Sequence, residues 1–221
     1  MISSALVLSL WVTSAATLVV AVSGTGIGYL LSRKRFPGRE FLEAVLNLPL
    51  VLPPTVTGYY LIVLLGRNGL LGRPVLEWTG LSIPFTWLAC VIAASLMAFP
   101  LMLRAALVAF ESIDPRQGLA AASLGHGRFS TFFRVMLPMA RRGLLAGVVL
   151  SFARALGEFG ATLMLAGNIP GRTRTLPLAI YEAAVSGEDR EALIMAGLLT
   201  LVSVLVMLLA SRLDRRYGAG A

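Results

Sequence analysis

Arg154 and Glu158 stand four residues apart in the stretch FARALGEFGATLML, inside one of the most apolar parts of the chain. On a helix that spacing puts both side chains on one face, and ionisable groups in such surroundings are costly enough to imply a role. Two roles are open to the pair. They can form a mutual ion pair that lets both be buried, or Arg154 can offer transient positive potential to a passing dianion, bound weakly enough to be released. Little else in the sequence can do chemistry. His126 is the single histidine and has no second metal ligand near it, and Cys90 is the single cysteine, so metal sites and disulfides are not expected. No serine in an apolar run has an acid and a base at triad-like spacing. No GxxxxGK[ST] phosphate loop occurs. The chain is therefore expected to be no enzyme and to hold no cofactor, with any ATP bound by a partner subunit.

The elements that must carry these residues are membrane helices. Of 221 residues, 57% are hydrophobic and 14% charged, which is more apolar than a soluble core requires. Runs long enough to cross about 30 Å of hydrocarbon, roughly 20 helical residues, fall at 5–31, 42–65, 84–110, 144–165 and 192–209. The first is taken as a span rather than a secretory signal, because no basic residue precedes it and it is too long. Residues 1–221 form one all-α, polytopic membrane domain, since no loop is long enough for a folded soluble unit. The net charge of +8 reflects loop arginines, and no nucleic-acid partner is expected. Arg33, Lys34, Arg35 and Arg39, then Arg104, Arg116, Arg128, Arg134, Arg141 and Arg142, then Arg212, Arg215 and Arg216 fall on one side of such a topology. Arg67, Arg73, Arg172, Arg174 and Arg190 fall on the other. The positive-inside rule then predicts an external N-terminus and a cytoplasmic C-terminus.

Span two carries Pro49, Pro53 and Pro54, which lack amide protons and crowd the carbonyls of Val45, Pro49 and Leu50. A straight helix is excluded, and the freed carbonyls require burial in protein or a wet cavity. A pore-lining segment and a buried kink are both compatible with that requirement. Asn47, Pro49, Pro53, Pro54 and Thr55, with Arg154 and Glu158, are the candidate translocation pathway. In span one, Gly24 and Gly28 form a small-xxx-small pattern suited to close helix packing. Arg172 and Arg174, in the loop after span four, are either solvated charges or a means of steering an anion.

Between spans three and four lies AAASLGHGRFSTFFRVMLP, too polar to cross lipid. If helical, Ala120, Ala121 and Gly125 leave one side nearly flat, flanked by Leu119 and Leu124, and a flat side permits close docking. Bulky anchors for a membrane surface are missing until Phe129, so a cytoplasmic protein partner is the better occupant.

This spacing resembles the cytoplasmic EAA loop of binding-protein-dependent ABC importers: two alanines, a glycine after three further residues, and an apolar-x-Leu-Pro ending. Here these are Ala120, Ala121, Gly125, Val135, Leu137 and Pro138, with Leu119 in place of the usual glutamate. The stretches NLPLVLPPTVTGYYLIVLLGRNGLLG (47–72) and FARALGEFGATLMLAGNIPGRTRTLPLAIY (152–181) are similar to permease subunits of molybdate ABC transporters. The resemblance implies the type I importer permease fold, with about five transmembrane helices and a cytoplasmic coupling helix within 111–140. It implies Ala120, Ala121, Leu124, Gly125, Val135, Leu137 and Pro138 as the coupling segment. Its implied partners are a second copy of the chain, two ABC ATPase subunits, a periplasmic oxyanion-binding protein, and molybdate as substrate. A second copy also opens a third role for Arg154 and Glu158, as interface contacts. Tungstate and sulfate or thiosulfate permeases share the plan. A self-contained channel or secondary transporter is the rival of another class, and it has no need of a docking loop.

Overall fold

The computed structural model describes residues 2–34 and 36–218, with side chains described as far as residue 209. Arg35 and the side chains of Arg212, Arg215 and Arg216 therefore lie outside the described residues. The described residues form helices and connecting turns: α1 (Ile2–Arg33), α2 (Arg39–Val51), α3 (Pro54–Leu65), α4 (Gly72–Thr79), α5 (Trp87–Glu111), α6 (Pro115–Ser123), α7 (Arg128–Thr131), a π-helical segment (Phe132–Met136), α8 (Leu137–Leu156), α9 (Gly160–Ala166), α10 (Leu176–Val185) and α11 (Asp189–Gly218). Four runs are long and apolar enough to cross a membrane: Ile2–Arg33, Trp87–Glu111, Arg128–Leu156 and Asp189–Leu209. A fifth crossing is available to α2 and α3 as a pair bent by 115°.

The bend follows from covalent geometry. A residue preceding proline is pushed out of the α region by the ring's Cδ. Leu52 precedes Pro53 and adopts φ −72°, ψ 141°, while Pro53 precedes Pro54 and adopts φ −54°, ψ 136°. Two consecutive extended residues end one helix and start another. Pro54 then occupies the first turn of α3, where a missing amide costs nothing, and the Pro53 carbonyl accepts from the amides of Val56 and Thr57 at 3.0 and 3.1 Å.

The core is built by α1, α5 and α8, and small residues set how closely they approach. A Cβ on Gly24 would lie 2.7 Å from Met102 Cγ, and one on Gly28 would lie 2.6 Å from the Ala106 methyl. On the other side of α5, a Cβ on Gly143 would meet Ala109 at 2.6 Å and one on Gly147 would meet Ala105 at 2.7 Å. In both pairs the glycine is needed because the partner helix occupies the space of a side chain. The small-xxx-small pattern of span one thus serves packing.

These contacts also give the direction of each helix. Trp11 meets Trp87 and Tyr29 meets Phe110, so α1 and α5 run parallel. Gly143 at Ala109 and the Ser151 hydroxyl donating to the Ala98 carbonyl make α8 antiparallel to them. Arg39 at the start of α2 reaches Glu111 at the end of α5, and α2–α3 returns toward Phe85. The N-terminal part of α1 packs with Ala183 and Met195, so α11 starts at the same end as α1. Arg67, Arg73, Arg172, Arg174 and Arg190 therefore cluster at the end holding the N-terminus. Arg33, Lys34, Arg39, Arg116, Arg128 and Arg134 sit at the other.

Two boundaries differ from the sequence expectation. The run expected at 144–165 is a helix over 128–156 that stops at Gly157, followed by the separate seven-residue α9. Apolar composition continues through the break, so hydropathy cannot register it; the break is made by a polar contact of Glu158, described below. Residues 128–140, expected within the coupling loop, already belong to that long helical run. Small shifts elsewhere reflect capping, as at α5, which starts at Trp87 because the Thr86 hydroxyl accepts the Ala89 amide.

Candidate functional site

The expected pathway residues form two groups. In the first, the Arg154 guanidinium meets the Glu158 carboxylate at 2.7 Å, with Arg154 27% and Glu158 2% exposed. The other carboxylate oxygen of Glu158 accepts the Ala161 amide at 2.8 Å. Glu158 therefore does two things at once: it neutralises Arg154 and it satisfies an amide at the start of α9, where a negative charge is favoured. Burial of the carboxylate is tolerable because both oxygens are engaged. The mutual ion pair, one of the roles left open by the sequence, is thus present.

Helix α9 carries this arrangement onto the broken span. A Cβ on Gly58 of α3 would lie 2.8 Å from Ala161 Cα, and one on Gly160 would lie 2.9 Å from the Pro54 ring and 3.3 Å from the Thr55 amide. Pro53, Pro54 and Thr55 are exposed at the bend, so the Glu158 cap and the proline break meet across a contact nearly without side chains. Sequence reasoning misses Gly58 and Gly160 as counterparts across this contact; a lone glycine amid bulky apolar residues in TVTGYYLIVLL is the available signal.

The second group lies toward the other end of the helix bundle. Asn47 accepts a hydrogen bond from the Arg104 guanidinium at 2.9 Å and donates to the Glu43 carbonyl at 2.6 Å. Beside it, Arg39 pairs with Glu43 at 2.6 Å and Glu111 at 2.8 Å. Pro49 is buried within α2. Asn47 is thus part of the fastening of α2 to α5 rather than of the bend. By sequence Arg104 is only a loop-flanking charge; an arginine within an otherwise apolar 25-residue helix is the signal for a polar partner.

The segment expected to couple departs from a single flat helix. Asp114 caps α6 through the Arg116 amide at 2.8 Å, Pro115 occupies its first turn, and it ends at Ser123. Ala121 is buried against the chain itself, and Ala120 is exposed. Gly125 is outside the helix at φ +81°, and a Cβ there would meet nothing within 4 Å. Its smallness answers a left-handed backbone in the turn, which L side chains disfavour, and Ala121 is small because of an internal neighbour. Ala120, Ala121 and Gly125 therefore do not make one flat outward face. What α6 and its turn present instead is apolar bulk, with Leu119 68% and Leu124 80% exposed.

Val135, Leu137 and Pro138 lie in the π-helical segment and the first turn of α8. Pro138 cannot donate to the carbonyl of Arg134 and its ring crowds it. The wider π turn accommodates this, with the Leu137 amide reaching the Phe132 carbonyl five residues back. From the same segment a row of rings runs inward: Phe129 to Phe133 at 4.6 Å, Phe133 to Phe132 at 4.8 Å, Phe132 to Tyr29 at 4.6 Å and Tyr29 to Phe110 at 5.2 Å. Phe129 is at the surface and Phe110 fully buried. The loop is thereby joined rigidly to α1 and α5.

The broken span thus lies beside a buried ion pair, with an apolar, ring-anchored loop at one end of the bundle, and sequence comparison identifies the family. Residues 24–218 match the family described as the binding-protein-dependent transport system inner membrane component. The chain belongs to that family. It is a permease component of the inner membrane that depends on a separate binding protein, and no enzymatic role attaches to such a subunit. The molybdenum transport system permease protein ModB of Escherichia coli (strain K12) is 44% identical over 216 residues, covering 96% of this chain and 94% of that protein. A sulfate transport system permease protein, CysW of Synechococcus elongatus, is 37% identical over 195 residues, covering 88% of this chain and 68% of that protein. In fold, the chain is similar to a bacterial ABC transporter involved in alginate import, with TM-score 0.77 at 17% identity over 96% of this chain and 78% of that one. The type I importer permease architecture expected from the resemblance is the one observed.

Proposed function

We propose that this chain is the membrane-spanning permease of an ATP-driven importer that carries molybdate across the cytoplasmic membrane. The observation that carries this reading is the near full-length similarity to molybdenum permeases, at a level above that to the sulfate permease. Two copies of the chain form the channel beneath a periplasmic oxyanion-binding protein, and two ABC ATPase subunits supply the energy. The chain itself binds no ATP. The arginine-rich end, with Arg33, Arg116 and Arg128, faces the cytoplasm, and the end holding Trp11, Trp87 and Arg172 faces outward. The exposed Leu119, Leu124 and Phe129 supply the contact with each ATPase, so that Leu119 offers apolar surface where the EAA pattern has a glutamate. The bend at Pro53–Pro54, the α9 contact and the Arg154–Glu158 pair form the wall of the pathway.

Sulfate is the second reading, favoured by the similarity to the sulfate permease. Uptake of labelled molybdate into proteoliposomes holding the permease, its ATPase and its binding protein tests both. ATP-dependent uptake of molybdate unaffected by excess sulfate is expected. Uptake of sulfate in preference to molybdate would replace the first reading with the second. Uptake without ATPase would point to a self-contained transporter.

A further inference from the structure

A cavity of about 520 Å³ opens at the end of the molecule that holds the N-terminus, between the end of α3 and the start of α5. Arg67 and Arg172 both line it, together with Ser82 and Thr86, and no acidic residue does. Neither guanidinium has a hydrogen-bond or ion-pair partner among the described residues. Their neighbours in sequence are engaged: Arg73 pairs with Glu77, and Arg174 donates to Asn168, which holds Glu182. Both side chains are exposed, so an anion entering the cavity meets two like charges that no protein carboxylate already neutralises.

Both arginines are presented by stiff turns. Around Arg67, the Gly69 amide donates to the Gly66 carbonyl and the Leu71 amide to the Leu64 carbonyl, and any Cβ on Gly69 would strike backbone. Around Arg172, the Ile169 carbonyl accepts the amides of Arg172, Thr173 and Arg174, and the buried Thr173 carbonyl accepts from the Cys90 thiol. The wall between them contains Phe85, the one non-glycine residue at positive φ (62°) among the described residues, which donates its amide to Leu165 at the end of α9. A strained residue held by its surroundings is a mark of a functional constraint. Thr86 in the same wall caps the 25-residue α5, whose positive dipole end therefore begins there.

From two exposed guanidiniums without a protein partner that line one cavity together with the Ser82 hydroxyl and no carboxylate, we propose that this cavity is a transient binding site for a tetrahedral oxyanion dianion on its way into the permease. Planar guanidiniums match two edges of such an anion, and the openness of the site to water keeps affinity low enough for onward release. The inference rests on the molybdate-import reading and extends it to a named site in this chain.

The test uses the complete permease–ATPase complex in lipid nanodiscs, without the binding protein, and molybdate binding followed by equilibrium dialysis with elemental analysis. Wild type is expected to bind molybdate saturably and to release it to excess tungstate. Arg67→Gln and Arg172→Gln should each raise Kd by about tenfold or more, as loss of a charge-assisted contact does, and the double variant should lose saturable binding. Arg67→Lys should fall between, and Arg73→Gln should behave as wild type. Equal binding by the double variant, equal loss in Arg73→Gln, or no saturable binding by wild type would each overturn the site. So would a double variant that binds molybdate normally but no longer associates with the binding protein, since the arginines would then be a protein-docking surface. Uptake measured in parallel separates the two readings: a wild-type complex that transports molybdate while the double variant binds normally removes the site alone, whereas no molybdate uptake by wild type removes the import reading beneath it.

Discussion

Two regions of this molecule hold helices together by opposite means. Along α1, α5 and α8 the contacts are made by what is missing: Gly24, Gly28, Gly143 and Gly147 leave space that Met102, Ala106, Ala109 and Ala105 fill. Where α3, α9 and the end of α8 meet, glycines again permit approach, but position depends on one carboxylate, Glu158, that serves both Arg154 and the first turn of α9. The first region spreads its specificity over many apolar contacts, each worth little. The second concentrates it in a few polar groups whose loss leaves another group unsatisfied. The scaffold is held by packing, whereas the contact of α3 with α9 is secured by a single buried acid.

The sharpest way to break the comparison is at the ion pair. Arg154→Gln leaves the Glu158 carboxylate buried without its counter-charge, and such removal costs about 3–5 kcal/mol. Thermal unfolding of the detergent-solubilised protein should show a large loss of stability, with Arg154→Gln/Glu158→Gln recovering part of it, because a glutamine at 158 can still accept the Ala161 amide. Full stability in the single variant together with abolished uptake would assign Arg154 to the anion instead.

In the scaffold, Gly28→Val places a side chain where Ala106 already sits, and overpacking costs about 1–3 kcal/mol. Membrane abundance should fall, and Gly28→Val with Ala106→Gly should restore part of it. Gly26, two residues earlier, has open space where a methyl group would go, with nothing within 4 Å, and should accept alanine without loss.

At the bend the effect is on shape more than on stability. Pro53→Ala with Pro54→Ala removes the steric cause of the two extended residues. Spin labels at Leu48 and Leu64 should then move apart as α2 and α3 straighten, by electron paramagnetic resonance distance measurement. An unchanged distance would show that the contact with α9 alone imposes the bend.

The smallest effect is expected at the loop. Gly125→Ala meets no neighbour and carries only the strain of a left-handed backbone, about 1–2 kcal/mol, whereas Gly125→Asn should be milder. Membrane abundance should stay near wild type in both. Leu124→Ser should leave folding untouched and reduce co-purification of the ATPase, since Leu124 is exposed apolar surface.

Much of the fold is legible from residue types and order. Long apolar runs identify the spans, and the sorting of arginines into alternating connections agrees with the two ends of the bundle. The site is legible in parts. Arg154 and Glu158 are paired as their spacing suggests, because a four-residue offset is a property of one helix. Proximity in sequence groups Asn47 with the prolines, but its partner is Arg104, 57 residues away. Gly125 joins a flat docking face only if the small residues share one helix, whereas the helix ends two residues before it.

The sequence by itself determined the membrane character, the set of apolar runs, and the break at Pro53–Pro54, since hydropathy and the clash of a proline ring with its neighbours act over a few bonds. Only the tertiary structure decided that Glu158 caps a separate α9, that Gly58 and Gly160 let that helix lie against the break, that Ala121 turns inward, and that Arg67 and Arg172 share a cavity. These depend on the register and direction in which distant helices meet, and that register comes from the sum of many weak contacts across the whole bundle rather than from any local run of residues.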